Sequence, residues 1–98
     1  MKILHYKLLK DFWKKHKDSE YSLKRWVEII EHSNWNTHND LKKNFPSADY
    51  VGNNRYVFNI SGNKYRLITM VIFYEGYLYI RFVGTHAEYD KIKDIKII

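Results

Sequence analysis

Arg55, Arg66 and Arg81 fall among strand-forming residues, with Asn59 and Lys64 between the first two and Gly84-Thr85-His86 just past the third. A guanidinium is a planar fork of donors that matches two oxygens of a phosphate, and it stays charged at any physiological pH. An imidazole ordinarily titrates near 6.5, so His86 can give or take a proton at neutral pH. Several arginines gathered beside one histidine could therefore grip a phosphodiester and move a proton next to it. The plainer alternative is that strand arginines cover a solvated face and that His86 is a turn residue. Strand register decides between the two, because successive side chains point to opposite faces of a sheet.

The elements that must position these residues divide at Pro46, the single proline. Before it the spacing is helical. Leu8, Leu9, Phe12 and Trp13 make one face of a helix from Tyr6 to about His16. Asp18-Ser19 reads as a turn with an N-cap, and Tyr21, Leu23, Trp26, Val27, Ile29 and Ile30 give a second amphipathic helix to about His32. Thr37 is a good N-cap for a short third helix, with Asp40 near its positive end, and Pro46 ends it.

Residues 2–5 suit an edge strand, and from Ala48 onward the signal is β. Strands are expected over 48–51, 55–60, 64–74 and 77–83, with a helical turn over 86–91 before a charged, partly apolar tail. A two-residue turn at Gly62-Asn63 would pair Asn59 with Arg66, Val57 with Ile68 and Arg55 with Met70. A turn at Glu75-Gly76 would pair Met70 with Arg81, Ile68 with Val83 and Arg66 with Thr85. One face then carries Arg55, Asn59, Lys64, Arg66, Arg81 and Thr85, left uncovered. The other carries Tyr56, Phe58, Ile60, Tyr65, Leu67, Val71, Phe73, Leu78, Ile80 and Phe82, the seat for the helices. The expected fold is α+β, two to three N-terminal helices on one face of a small, mainly antiparallel sheet. A bulge would turn Arg66 or Arg81 away and break that grouping.

Composition bounds what this face could meet. Ninety-eight residues allow one core, so residues 1–98 are read as a single domain. Seventeen Lys+Arg against eleven Asp+Glu leave a net charge of +6, which favours a polyanionic partner. With no cysteine there is no disulfide, no thiolate nucleophile and no cysteine-based metal site. His5, His16, His32 and His38 show no ligand spacing with acidic residues, so neither a metal nor a cofactor is expected. Apolar runs fall far short of the roughly 20 residues of a membrane span. Residues 1–7 turn basic at once and lack the apolar centre of a signal peptide, which points to the cytoplasm.

Two longer stretches carry a resemblance. Residues 58–68, Phe-Asn-Ile-Ser-Gly-Asn-Lys-Tyr-Arg-Leu-Ile, and 79–92, Tyr-Ile-Arg-Phe-Val-Gly-Thr-His-Ala-Glu-Tyr-Asp-Lys-Ile, resemble the HigB toxin family. Phe12-Trp13, Trp26, Trp35 and the segment Pro46 to Gly52 extend the likeness over essentially the whole chain. The resemblance implies a RelE-like fold and a bacterial cytoplasmic toxin that cleaves mRNA in the ribosomal A site. It also implies a HigA-type helix-turn-helix antitoxin, with operator DNA reached only through that antitoxin. Tyr65-Arg66-Leu67 is similar to the strand motif whose arginine contacts the scissile phosphate, so Arg66 takes that role. His86, after Gly84-Thr85, falls where the family carries a basic or histidine catalytic group. Tyr89 is the nearest counterpart of the family's assisting tyrosine. The lysines that RelE-like toxins carry on the preceding strand have no counterparts at Val57 and Asn59.

Cleavage would use the ribose 2′-OH, with His86 as acid–base and Arg66 and Arg81 stabilising the pentacoordinate phosphorus. Arg55, Asn59, Lys64, Thr85 and Lys91 would hold the RNA. Glu88 would orient His86 or pair with Lys91. The lysines of the first two helices, Lys7, Lys10, Lys14, Lys15, Lys17 and Lys24, together with Arg25, read as a solvated face or as a dock for ribosomal RNA. Trp13 and Trp26 read as core, and Tyr77 and Tyr79 as rings on the basic face able to stack on bases. Two other classes fit the residues: a non-catalytic RNA-binding module on the same sheet, and a protein-interaction domain for an antitoxin.

Overall fold

The helical spacing before Pro46 becomes α1 (Lys7–Lys15), a 3₁₀ turn (Lys17–Ser19), α2 (Glu20–Glu31) and α3 (His38–Asn44). These come from a computed structural model that describes residues 1–98. Leu9, Phe12 and Trp13 of α1 and Leu23, Trp26, Val27 and Ile30 of α2 are buried, one stripe per helix. Each such leucine or isoleucine contributes about 1.5–3 kcal/mol by leaving water. Thr37 opens α3 through a capping box. Its Oγ1 accepts from the Asp40 N–H at 3.3 Å, and the Asp40 carboxylate accepts from the Thr37 N–H at 3.2 Å. Ser19 does not cap α2. It donates its hydroxyl to the His16 carbonyl at 2.6 Å and closes the 3₁₀ turn instead.

The β-rich half supplies β2 (Asp49–Gly52), β3 (Arg55–Ile60), β4 (Tyr65–Ile72) and β5 (Tyr77–Thr85), joined by β1 (Lys2–Leu4) from the start of the chain. They form one sheet in the order β1-β5-β4-β3-β2, antiparallel except for β1 beside β5. α4 (His86–Asp90) follows β5 without a loop. The result is an α+β fold, with the helix stripes packed on Tyr56, Phe58, Ile60, Tyr65, Leu67, Val71, Leu78 and Ile80. Trp26 meets Phe58 edge-on at 5.4 Å, and Phe45 meets the same ring at 5.1 Å. No helix is long and apolar enough to cross a membrane.

The first hairpin has the expected register: Arg55 faces Met70, Val57 faces Ile68 and Asn59 faces Arg66. Its loop is Ser61–Lys64, longer than a two-residue turn but centred on the same Gly62-Asn63, so the pairing is unchanged.

The second hairpin departs from expectation twice. Ile72 pairs with Tyr77, so the loop is Phe73–Gly76 and Met70 faces Tyr79, not Arg81. Gly76 sits at φ +74 and donates its N–H to the Ile72 carbonyl at 3.0 Å, which closes this longer loop. A bulge then lies between the Thr69–Ile80 and Ile68–Phe82 pairs, and Arg81 is the extra residue. Beyond it Arg66 faces Gly84, and Thr85 faces Tyr65 of the helix-side core. Phe82 and Val83 have exchanged their expected faces. The grouping of Arg81 and Thr85 with Arg55 and Arg66 is therefore overturned.

The second face is also not left uncovered. Val57 and Ile68 lie on it and are buried, yet neither belongs to the helix-side core. α4 and the segment after it return across it: Tyr89 of α4 lies over Arg66, Lys96 lies against Gly52, and the Ile98 carbonyl accepts from Arg55 at 2.7 Å. An apolar strip on a sheet needs shelter from water, and Ile92, Ile95 and Ile98 of this segment are each half-buried.

Candidate active site

Arg66 and α4 make the site. Arg66 leaves β4 opposite Asn59 on one side and Gly84 on the other, at the end of the sheet where β5 turns into α4. Its guanidinium lies 4.9 Å from the centre of the Tyr89 ring, a cation–π stack that sets the plane of the fork. The Arg66 Nε and the His86 Nε2 are both buried and both lack a hydrogen-bond partner. His86 is the first residue of α4, and Tyr89 is one turn further along the same helix. Buried polar atoms are normally paired, and leaving one unpaired costs about 1–3 kcal/mol. Trp26 Nε1 and Arg55 Nε are likewise unpaired, and what sets Arg66 and His86 apart is their place at the end of the sheet, where Tyr89 links Arg66 to α4.

α4 is short, and its start is fixed by a second capping box. The Thr85 N–H donates to Glu88 Oε1 at 2.8 Å, and the Glu88 N–H donates to Thr85 Oγ1 at 3.2 Å. The Thr85 N–H holds the Glu88 carboxyl below its usual range, with smaller help from Thr85 Oγ1, His16 and Lys91. Glu88 thus makes no hydrogen bond to His86 and no ion pair with Lys91, and bears on His86 only through the cap. Thr85 Oγ1 is taken up by the cap as an acceptor, so only its O–H remains for an RNA contact.

Gly84 leaves the space that Phe82 and the Glu88 carboxylate occupy here. A Cβ on it would stand 2.6 Å from Phe82 Cζ and 2.8 Å from Glu88 Oε1. Gly84→Ala is therefore expected to destabilise the protein by about 1–3 kcal/mol through overpacking. Thermal denaturation should show a midpoint lowered by roughly 4–8 °C per kcal/mol. An unchanged midpoint would mean that Phe82 and the cap shift aside without cost.

The other expected binding residues have structural partners. Arg55 is buried and donates to the Asn53 carbonyl at 2.9 Å and to the Ile98 carbonyl. Lys64 pairs with Asp18, which also accepts from the Tyr65 hydroxyl at 2.7 Å. Arg81 is exposed and lines a separate cleft beside α1. Asn59 stays across from Arg66, and Lys91 is exposed without an ion pair. Nothing in the sequence flagged Asp18 as the partner of Lys64 and Tyr65. No group of three or more His, Asp or Glu side chains is placed to hold a metal ion.

The Lys64 ammonium, then the Tyr65 hydroxyl, hold the Asp18 carboxyl below its ordinary value. A depressed carboxylate contributes stability that is complete above its unfolded value, near 3.9, and is lost as pH falls through the lower folded value. Asp18→Asn is accordingly expected to flatten the acid limb of the stability–pH curve below about pH 4. Denaturant titrations between pH 2 and 6 measure this, and parallel curves for variant and wild type would refute it.

The sequence profile of HigB_toxin, described as the RelE-like toxic component of a toxin–antitoxin system, matches residues 19–92. The chain belongs to this family. Among similar proteins, the mRNA interferase toxin HigB of Escherichia coli K12 is 37% identical over 92% of this chain and 88% of its own length. The mRNA interferase HigB of Shigella flexneri has the same identity and coverage. The mRNA interferase HigB of Escherichia coli O6:H1 is 26% identical over 81% of this chain and 79% of its own. The matched span includes Arg66, His86 and Tyr89, and the α+β fold with its mainly antiparallel sheet agrees with a RelE-like toxin. Membership in this HigB family makes the chain the toxic half of a pair that includes an antitoxin.

Proposed function

We propose that residues 1–98 act as one toxin domain that cleaves mRNA on the ribosome in the bacterial cytoplasm, and that a HigA-type helix-turn-helix antitoxin neutralises it. Operator DNA is reached only through that antitoxin. The observation that carries the catalytic reading is the stack of Tyr89 on Arg66, which holds the guanidinium beside α4, the helix that His86 opens. The names of the relatives supply the substrate class.

In the proposed reaction a base takes the proton of the ribose 2′-OH, and the freed oxygen attacks the adjacent phosphorus. The bond from phosphorus to the 5′ oxygen breaks, and an acid returns a proton to that oxygen. The products are a 2′,3′-cyclic phosphate and a 5′-OH end. Arg66 faces the negative charge that builds on the phosphoryl oxygens, where a fixed cation acts most strongly. His86 carries the proton on one side of the exchange. Tyr89 positions Arg66 by stacking. Asn59 and Lys91 flank Arg66 and α4 and extend the contact to the neighbouring backbone.

Induced expression with mapped mRNA 5′ ends tests this reading. The expected result is new 5′-OH ends inside translated messages, absent with Arg66→Ala or His86→Ala. RNA that is bound but yields no such ends would favour the non-catalytic binding module.

A further inference from the structure

β1 pairs with β5 only as far as Tyr79, so the remainder of β5 has α1 rather than a strand on that side. Between α1 and this part of β5 lies an open cleft of about 320 Å³, lined in part by Lys15, His16, Arg81, Phe82 and Glu88. The bulge on β5 is what delivers Arg81 to this region.

The ion pairs of the molecule are Lys7–Asp11, Lys24–Glu20, Arg25–Glu28 and Lys64–Asp18, so Lys15 and Arg81 are cations without partners. The carboxylates of the cleft are already engaged, Asp11 by Lys7 and Glu88 by the Thr85 N–H. His16 is held with its ring stacked on Phe12 at 4.3 Å and tilted against Tyr65 at 5.4 Å, and it stays half-exposed, as does Phe82. Two free cations beside two partly open rings are the parts that grip one nucleotide of a single strand, phosphate on the cations and base on the rings.

We propose that the α1–β5 cleft is a second RNA contact, taking one nucleotide apart from the cleaved one, with Lys15 and Arg81 on its phosphate and His16 and Phe82 against its base. This rests on the reading of the protein as acting on RNA. Glu88 lines the cleft and also caps α4, whose first residue is His86. One strand can therefore pass around the end of the sheet from Arg66 and Tyr89 to α1.

The test is the binding of a Lys15→Gln/Arg81→Gln double variant, whose changes are at exposed positions. One probe is an RNA oligonucleotide made uncleavable by 2′-deoxy substitution, and the other is ribosomes free of mRNA. Affinity for the oligonucleotide is expected to fall about tenfold at low salt. The log–log salt slope should flatten by roughly 0.7 for each lost phosphate contact. A loss seen with ribosomes and not with the oligonucleotide assigns Lys15 and Arg81 to docking on ribosomal RNA and overturns the single-strand contact. Unchanged affinity and slope for both probes overturn it. If that happens while His86→Ala has lost cleavage, the cleft assignment fails and the nuclease reading stands.

Discussion

Replacing His86 by alanine is expected to slow cleavage of ribosome-bound mRNA by about 10²–10⁴-fold, the usual worth of a positioned acid–base group. The expectation follows from its place. His86 opens α4, its Nε2 is buried without a partner, and the Thr85–Glu88 capping box fixes the helix start that aims it. Single-turnover cleavage of programmed ribosomes gives the rate directly, separate from binding. Free imidazole should restore part of the activity of the alanine variant, because it returns the missing proton carrier to the vacated space. A variant that cleaves as fast as wild type would remove His86 from the chemistry.

Arg66→Ala is expected to cost about 10²–10³-fold in the same assay, the range for losing one fixed donor at developing charge. Arg66→Lys should recover only part of this, since an ammonium has no planar fork and cannot lie flat on the Tyr89 ring. Tyr89→Leu removes the ring alone and should cost less, on the order of tenfold. If lysine restored full activity, charge would be all that matters at this position and the stacked geometry would be irrelevant.

The helices were legible because their apolar residues repeat every three or four positions and because Thr37 and Pro46 punctuate the chain. Trp13 and Trp26 fall on those stripes and are core. The first hairpin was legible because its loop is symmetric about Gly62-Asn63, so a longer loop leaves Asn59 opposite Arg66. The second hairpin was not. Glu75-Gly76 marks the end of the loop rather than its centre, and no residue type announces a bulge at Arg81. A bulge reflects how a strand must bend to keep packing, which is a property of the assembled sheet.

The same limit applies to the binding residues. Lys64, Thr85 and Arg55 carry the right chemistry for RNA, but a side chain's type does not reveal which nearby group will claim it. Asp18, Glu88 and the Ile98 carbonyl claim these three, from positions up to 46 residues away in the chain for Asp18 and Lys64.

By itself the chain's order of residues determined the helices, the strands, the apolar side of the sheet and the place of Arg66 and His86 at its end. These depend on spacing and local turn chemistry, which act over a few residues. Folding in three dimensions decided that Arg81 serves the α1 side, that the last residues shelter the second face, and that Tyr89 lies on Arg66. Each of these results from a bulge, a buried strip or a stack formed between distant segments, and such contacts exist only once the whole sheet has closed.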